Sequence, residues 1–84
     1  MSYEKVTQSQ SRLIIGTKQT IKAIRNGEVS EVFIAEDADQ QITNKVVEEA
    51  KKMQIPYVMV DSKKQLGKAC KIDVDASAVA IKHN

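Results

Sequence analysis

Short apolar runs alternate along the chain with longer stretches in which apolar residues return every three or four positions. Tyr3–Gln10 has the helical spacing, and the branched run Leu13-Ile14-Ile15 reads as a strand ended by Gly16. From Thr17 the apolar positions Ile21, Ala23 and Ile24 recur at helical spacing, and Asn26-Gly27 supplies a stop, predicting a helix over Thr17–Arg25. Val32-Phe33-Ile34-Ala35 is continuous and apolar, the pattern of a strand covered on both faces.

Ile42, Val46, Val47, Ala50 and Met53 mark the expected inner face of a longer helix, with Lys51 and Lys52 favourably placed against its C-terminal dipole and Ile55-Pro56 closing it. Tyr57-Val58-Met59-Val60 repeats the buried-strand pattern. Ser62, followed three residues later by Gln65, is a capping box that opens a helix through Cys70, with Leu66, Ala69 and Cys70 expected to face inward. A loop over Lys71–Ala76 then leads to a last strand, Ala78–Lys82. Strands separated by helices of this length predict an α/β domain, a small sheet covered on both faces. Such a frame serves many functions, so function has to come from sites.

With 84 residues the chain supports one domain, residues 1–84, and one modest core. A chain of this size buries somewhat over ~60% of its unfolded surface, which leaves little room for a deep substrate pocket. No run approaches the ~20 apolar residues of a membrane-spanning helix, and Met1–Lys5 lacks the apolar stretch of a secretory signal. A lone Cys70 makes neither an internal disulfide nor a multi-cysteine metal site. These features predict a cytoplasmic protein without membrane partners.

The net charge of +2 conceals segregation. Residues 1–27 carry five bases against the single acid Glu4; residues 28–50 carry seven acids against the single base Lys45; residues 51–84 carry seven lysines against three acids. If the two basic ends meet, one face suits a polyanion. Within the first helix of the pair, Lys18, Lys22 and Arg25 stand at i, i+4 and i+7, a basic stripe opposite Ile21 and Ile24 and without acidic partners on its own helix. Lys64, Lys68 and Lys71 repeat that spacing. Together the stripes could contact about five phosphates. The helix that starts at Gly16 also directs unpaired backbone N–H groups and its positive end outward, where phosphate is a usual guest.

Other chemistries fit less well. Gly16-Thr17-Lys18 has neither the glycines nor the length of a nucleotide phosphate loop. Glu36, Asp37 and Asp39 could in principle hold Mg²⁺, but a solvated turn with Asp39 at the next helix start weighs more heavily, so no metal or other cofactor is expected. Cys70 lies on an apolar helix side, and the only histidine, His83, is penultimate, where chain ends fray, so no catalytic pair forms and no enzyme is expected. Tyr3, Phe33 and Tyr57 are the only aromatics, and the last two sit in core-like strands, which argues against base stacking on an open sheet and for a structured RNA or distorted duplex.

Four blocks now stand in order: Gly16-Thr17-Lys18-Gln19-Thr20-Ile21-Lys22-Ala23, the Val32–Asp39 strand with its acidic end, Ile55-Pro56-Tyr57-Val58, and Ser62-Lys63-Lys64-Gln65-Leu66-Gly67-Lys68-Ala69. In that order and spacing they resemble the kink-turn-binding ribosomal protein family of the archaeal L7Ae type, and the compact length resembles its short bacterial members of the YbxF type. The resemblance implies a three-layer α-β-α sandwich with a mixed four-stranded sheet, and binding of kink-turn RNA, a duplex bent at a bulge beside sheared G·A pairs. The family segment Gly-x-Asn-Glu-x-x-Lys is matched at Gly16 and Lys22, whereas the Asn and Glu positions hold Lys18 and Gln19. Gln19 can still bond a base edge; Lys18 offers donors only.

On this resemblance the RNA-binding residues are Gly16, Thr17, Lys18, Gln19 and Lys22 at the helix start, Arg25 and Lys68 for electrostatic attraction, and Ile72, Asp73 and Val74 in the loop that packs against bulged nucleotides. The expected partner is ribosomal RNA or a messenger RNA leader, bound by a cytoplasmic, ribosome-associated monomer, with no DNA partner. The competing expectation is a protein-interaction adaptor that docks a basic partner on its acidic 28–49 surface.

Overall fold

The computed structural model describes residues 3–83; Met1, Ser2 and Asn84, the ends of the expected 1–84 domain, lie outside them. Its centre is a four-stranded mixed sheet in the order β1-β4-β2-β3, built from β1 (Leu13–Ile15), β2 (Val29–Ala35), β3 (Tyr57–Val60) and β4 (Ala78–Lys82). β4 lies antiparallel between β1 and β2, and β3 runs parallel to β2. Four α-helices cover it: α1 (Tyr3–Gln8), α2 (Thr17–Arg25), α3 (Gln40–Lys52) and α4 (Lys63–Ala69). The result is the expected α-β-α sandwich.

Strand alternation divides the core in two. Phe33, Ala35, Val58, Val60, Val79 and Ile81 point toward α1 and α4, where they meet Val6, Leu66 and Cys70. Val32, Ile34, Ala78 and Ala80 point the other way, against Ala23 and Ile24 of α2 and Val46 and Ala50 of α3. Ile24, Phe33, Ile34 and Leu66 are completely or almost completely buried, and each such side chain contributes roughly 1.5–3 kcal/mol relative to exposure. Small alanines in β4 let α2 approach the sheet.

Several boundaries differ from the sequence pattern for identifiable reasons. α1 stops at Gln8, and a 3-10 turn over Gln10–Arg12 follows; the Gln10 amide donates to the Ala69 carbonyl, tying this turn to the end of α4. β2 begins at Val29, three residues before its apolar run, because Ser30 is a bulge residue whose hydroxyl donates to the Ile81 carbonyl. The extra residue shifts the register, so Val29 packs with the α2–α3 half rather than with Phe33.

The inner face of α3 is Thr43, Val46 and Ala50, not Ile42 and Met53, which are both more than two-fifths exposed. Thr43 tolerates burial because its hydroxyl donates to the Asp39 carbonyl one turn earlier. Met53 lies beyond the last turn, where the Ile55 amide reaches back to Ala50 and Gln54 takes φ 58. β3 is likewise not buried on both faces: it is the sheet's edge, and Met59 is exposed. Half of the capping box in α4 forms, Ser62 Oγ accepting from the Gln65 amide; the Ser62 amide donates instead to the Tyr3 hydroxyl, so α1 clamps the start of α4.

Candidate nucleic-acid interface

α2 starts where β1 ends, and Gly16 makes the corner at φ 106 and ψ 149, a backbone conformation that side chains rarely adopt. Glycine has no side chain to cap the first N–H groups of α2, and no acidic residue occupies the first turn. The positive end of a nine-residue helix therefore faces outward, flanked by exposed Lys18 and Gln19, with half-buried Thr17 behind them. The corner is held rigidly: the Gly16 amide donates to the Ala78 carbonyl at 3.0 Å and the Thr20 amide to the Gly16 carbonyl at 2.9 Å.

The loop before β4 is stitched to the same end of the sheet. Its segment crosses Gly67 at the Val74 carbonyl, the Ala76 amide donates to Lys63, the Ser77 carbonyl accepts from Ala35, and the Ala78 carbonyl accepts from Gly16. One continuous strip thus joins the α4 layer to the start of α2. Val74 stands at its outer part, 68% exposed, with exposed Asp73 and Asp75 beside it and Ile72 packed partly into the core. Gly67, which stands in the sequence within the Ser62–Ala69 block as a glycine inside a helical pattern, is what lets this loop lie on α4.

The two basic stripes do not share a face. Lys18, Lys22 and Arg25 belong to the α2–α3 layer, whereas Lys64 and Lys68 belong to α4 on the opposite side of the sheet, where Lys68 neighbours the loop rather than α2. Nor is the α2 stripe wholly unpartnered: Arg25 meets Glu49 of α3, its Nε and Nη2 lying 3.0 and 2.9 Å from Oε1. Ile21 is not opposite the stripe but lies between its members, in an open groove of about 410 Å³ lined by Lys18, Ile21, Lys22, Arg25, Asn26 and Lys45. Lys45 is the one base of the acidic segment, so the sequence alone gives no sign of the cationic groove it lines.

That acidic segment is largely occupied within the fold. Glu31 pairs with Lys5 at 2.7 Å, Glu49 with Arg25, Asp37 accepts the Lys63 amide, Asp39 caps α3 through the Gln41 amide, and Glu28 accepts from Asn26. Solvent-exposed ion pairs contribute only ~0–1 kcal/mol each, but the two here join segments of opposite charge across elements. Among the described residues no group of three His, Cys, Asp or Glu side chains could hold a metal ion, Glu36, Asp37 and Asp39 included.

Cys70 is buried, and that burial pushes its thiol up to about 11. Burial, then the hydrogen bond to Asp61, also raises the Tyr3 phenol. His83 does not fray as the sequence suggests: its amide donates to the Glu28 carbonyl at 2.9 Å and prolongs the pairing of β4 with β2. No helix among the described residues is long and apolar enough to cross a membrane.

Together the fold and its surface define a small α-β-α sandwich domain with an uncapped, cationic helix start beside an apolar-tipped loop. The profile of the "Ribosomal protein L7Ae/L30e/S12e/Gadd45 family" matches residues 1–84, and the chain belongs to that family. A relative named RNA-binding protein YbxF, from Geobacillus stearothermophilus, is 57% identical over 81 residues, which span 96% of this chain and 98% of that protein. An RNA-binding protein of Halalkalibacterium halodurans is 57% identical over 82 residues, covering 98% and 99% of the two chains. The solved structure of the Giardia lamblia 15.5kD RNA binding protein matches 99% of this chain and 72% of that one, with a TM-score of 0.93 at 27% identity. The chain is thus similar to short bacterial members of the family, as its four sequence blocks suggest.

Proposed function

We propose that this protein binds structured RNA without catalysing a reaction, and that its preferred target is a kink-turn. The observation that carries the reading is the start of α2: a glycine corner pinned to Ala78, free helix N–H groups, and Lys18 and Gln19 exposed in the first turn, with Lys22 exposed one turn further along. In this reading the amides beyond Gly16, with Thr17 and Lys22, hold phosphate, while Lys18 and Gln19 meet base edges at the G·A pairs. Ile72, Asp73 and Val74 cover the bulge, with Val74 supplying the apolar contact, and Lys68 adds attraction from the α4 side. Arg25 contributes less than its stripe position suggests, because Glu49 compensates it. Family membership and relatives named as RNA-binding proteins support the RNA half of the proposal.

Recognition would rest largely on RNA shape, the protein binding the bent state better and thereby populating it. A gel-shift comparison of a kink-turn duplex with a duplex lacking the G·A pairs tests the target. Stronger binding to the kink-turn is expected; equal weak binding to both RNAs would refute the kink-turn preference. Ribosomal RNA and messenger RNA leaders are the classes in which to seek the natural partner, by sequencing the RNA that copurifies from cytoplasm.

A further inference from the structure

Around the groove between α2 and α3, cationic side chains converge from two helices: Lys18, Lys22 and Arg25 from α2, and Lys45 from α3. Among the described residues two ion pairs form, Lys5–Glu31 and Arg25–Glu49, so Lys18, Lys22 and Lys45 have no carboxylate partner. Like charges within a Debye length of ~8 Å repel, and the arrangement becomes favourable only when an anion enters. The pairing is also selective. Glu49 lies four residues after Lys45 on α3, the spacing of an intrahelical pair, yet its carboxylate faces Arg25. The pair engages Arg25, one of the groove's lining residues, and leaves Lys45 without a partner.

We propose that this groove is a track for the RNA backbone beyond the helix start, in which Lys45 holds a phosphate alongside Lys18 and Lys22 while Glu49 withholds Arg25 from the RNA. The inference rests on the reading that the chain binds RNA, and adds an α3 residue and an acidic restraint to it. An extended polyanion fits better than a small one. The groove is open, it continues through Lys18 into the α2 start, and Lys18 and Lys22 stand about 6 Å apart along the helix axis, so their charges spread along a line.

The test is the salt dependence of binding, measured for wild type, Lys45→Gln, Glu49→Gln and the control Lys51→Gln on a kink-turn duplex and on its partner lacking the G·A pairs. Lys45 and Lys51 are both exposed on α3, but Lys51 does not line the groove. For RNA that binds, Lys45→Gln is expected to flatten the slope of log affinity against log salt by about 0.9, the loss of one neutralised phosphate, with Lys51→Gln unchanged. Glu49→Gln is expected to steepen it, because Arg25 becomes available. A Lys45→Gln slope equal to wild type overturns the track, and an unaltered Glu49→Gln slope overturns the restraint. Failure of the kink-turn preference appears separately, as equal wild-type binding to the two RNAs; binding to neither would overturn both readings.

Discussion

Gly67 and Val74 meet so closely that only hydrogen fits between them: a Cβ at Gly67 would lie 2.2 Å from the Val74 carbonyl oxygen. The contact is with backbone, so it cannot be relieved by a side chain turning away. Gly67→Ala is therefore expected to push the Lys71–Ala76 loop off α4. The gain in helix propensity, up to ~1 kcal/mol, is outweighed by overpacking of about 1–3 kcal/mol. Urea denaturation should show a lower midpoint, and RNA affinity should fall with it. A variant as stable as wild type would mean that the loop yields freely.

Lys22 lines both the basic groove and a smaller one that it shares with Ile14, Gln19, Ala23, Asn26 and Glu28. Replacing it with alanine should weaken RNA binding and reduce the salt slope by roughly 0.9, while leaving the fold intact. Titrations at several salt concentrations measure this directly. An unchanged slope would remove Lys22 from the phosphate contacts.

Thr20, on the inner face of α2, is fully buried, and its hydroxyl has no hydrogen-bond partner. An unsatisfied buried polar group costs about 1–3 kcal/mol, and valine has nearly the same shape. Thr20→Val is expected to stabilise the protein by roughly 1 kcal/mol, seen as a higher urea midpoint at constant m. RNA binding should be unaffected, since the side chain is out of reach. Loss of stability instead would show that the hydroxyl has a partner after all.

The Cys70 thiol, raised by burial to about 11 from the ordinary 9, gives a pH dependence of known sign. Above pH 9 the unfolded chain releases this proton while the folded chain keeps it. Its contribution is complete below pH 9 and is lost as pH rises toward 11. Comparing unfolding midpoints of wild type and Cys70→Ala across that window isolates it: the wild type should lose more. Alkylation at pH 8 should be much slower in the native protein than in urea.

Period and punctuation alone predict eight of the elements in their places, because Gly16, Asn26-Gly27, Ile55-Pro56 and Ser62 mark boundaries by local chemistry. The family blocks then anticipate the sheet and its layers. Some of the misplaced features depend on partners distant in sequence, and others on a bond one helical turn away. Ser30 and Glu31 look like loop residues until the Ile81 carbonyl and Lys5 engage them. Ile42 looks interior until Thr43 satisfies its hydroxyl on Asp39 and takes that place. The same distinction separates the halves of the candidate interface: the glycine corner and Lys18–Lys22 are local, whereas Lys45 and the Arg25–Glu49 pair require α2 and α3 to meet.

The central place of β4 has a consequence for synthesis. Among the described residues β1 pairs only with β4, and Gly16 is pinned by Ala78, so the corner that opens α2 has its support in a strand translated after the other three. A chain emerging from the ribosome would carry every residue of that corner long before it could hold its shape. If RNA binds at that corner, as proposed, competence for RNA arrives only when β4 slots between its neighbours, and a chain without β4 offers RNA only disorganised charge.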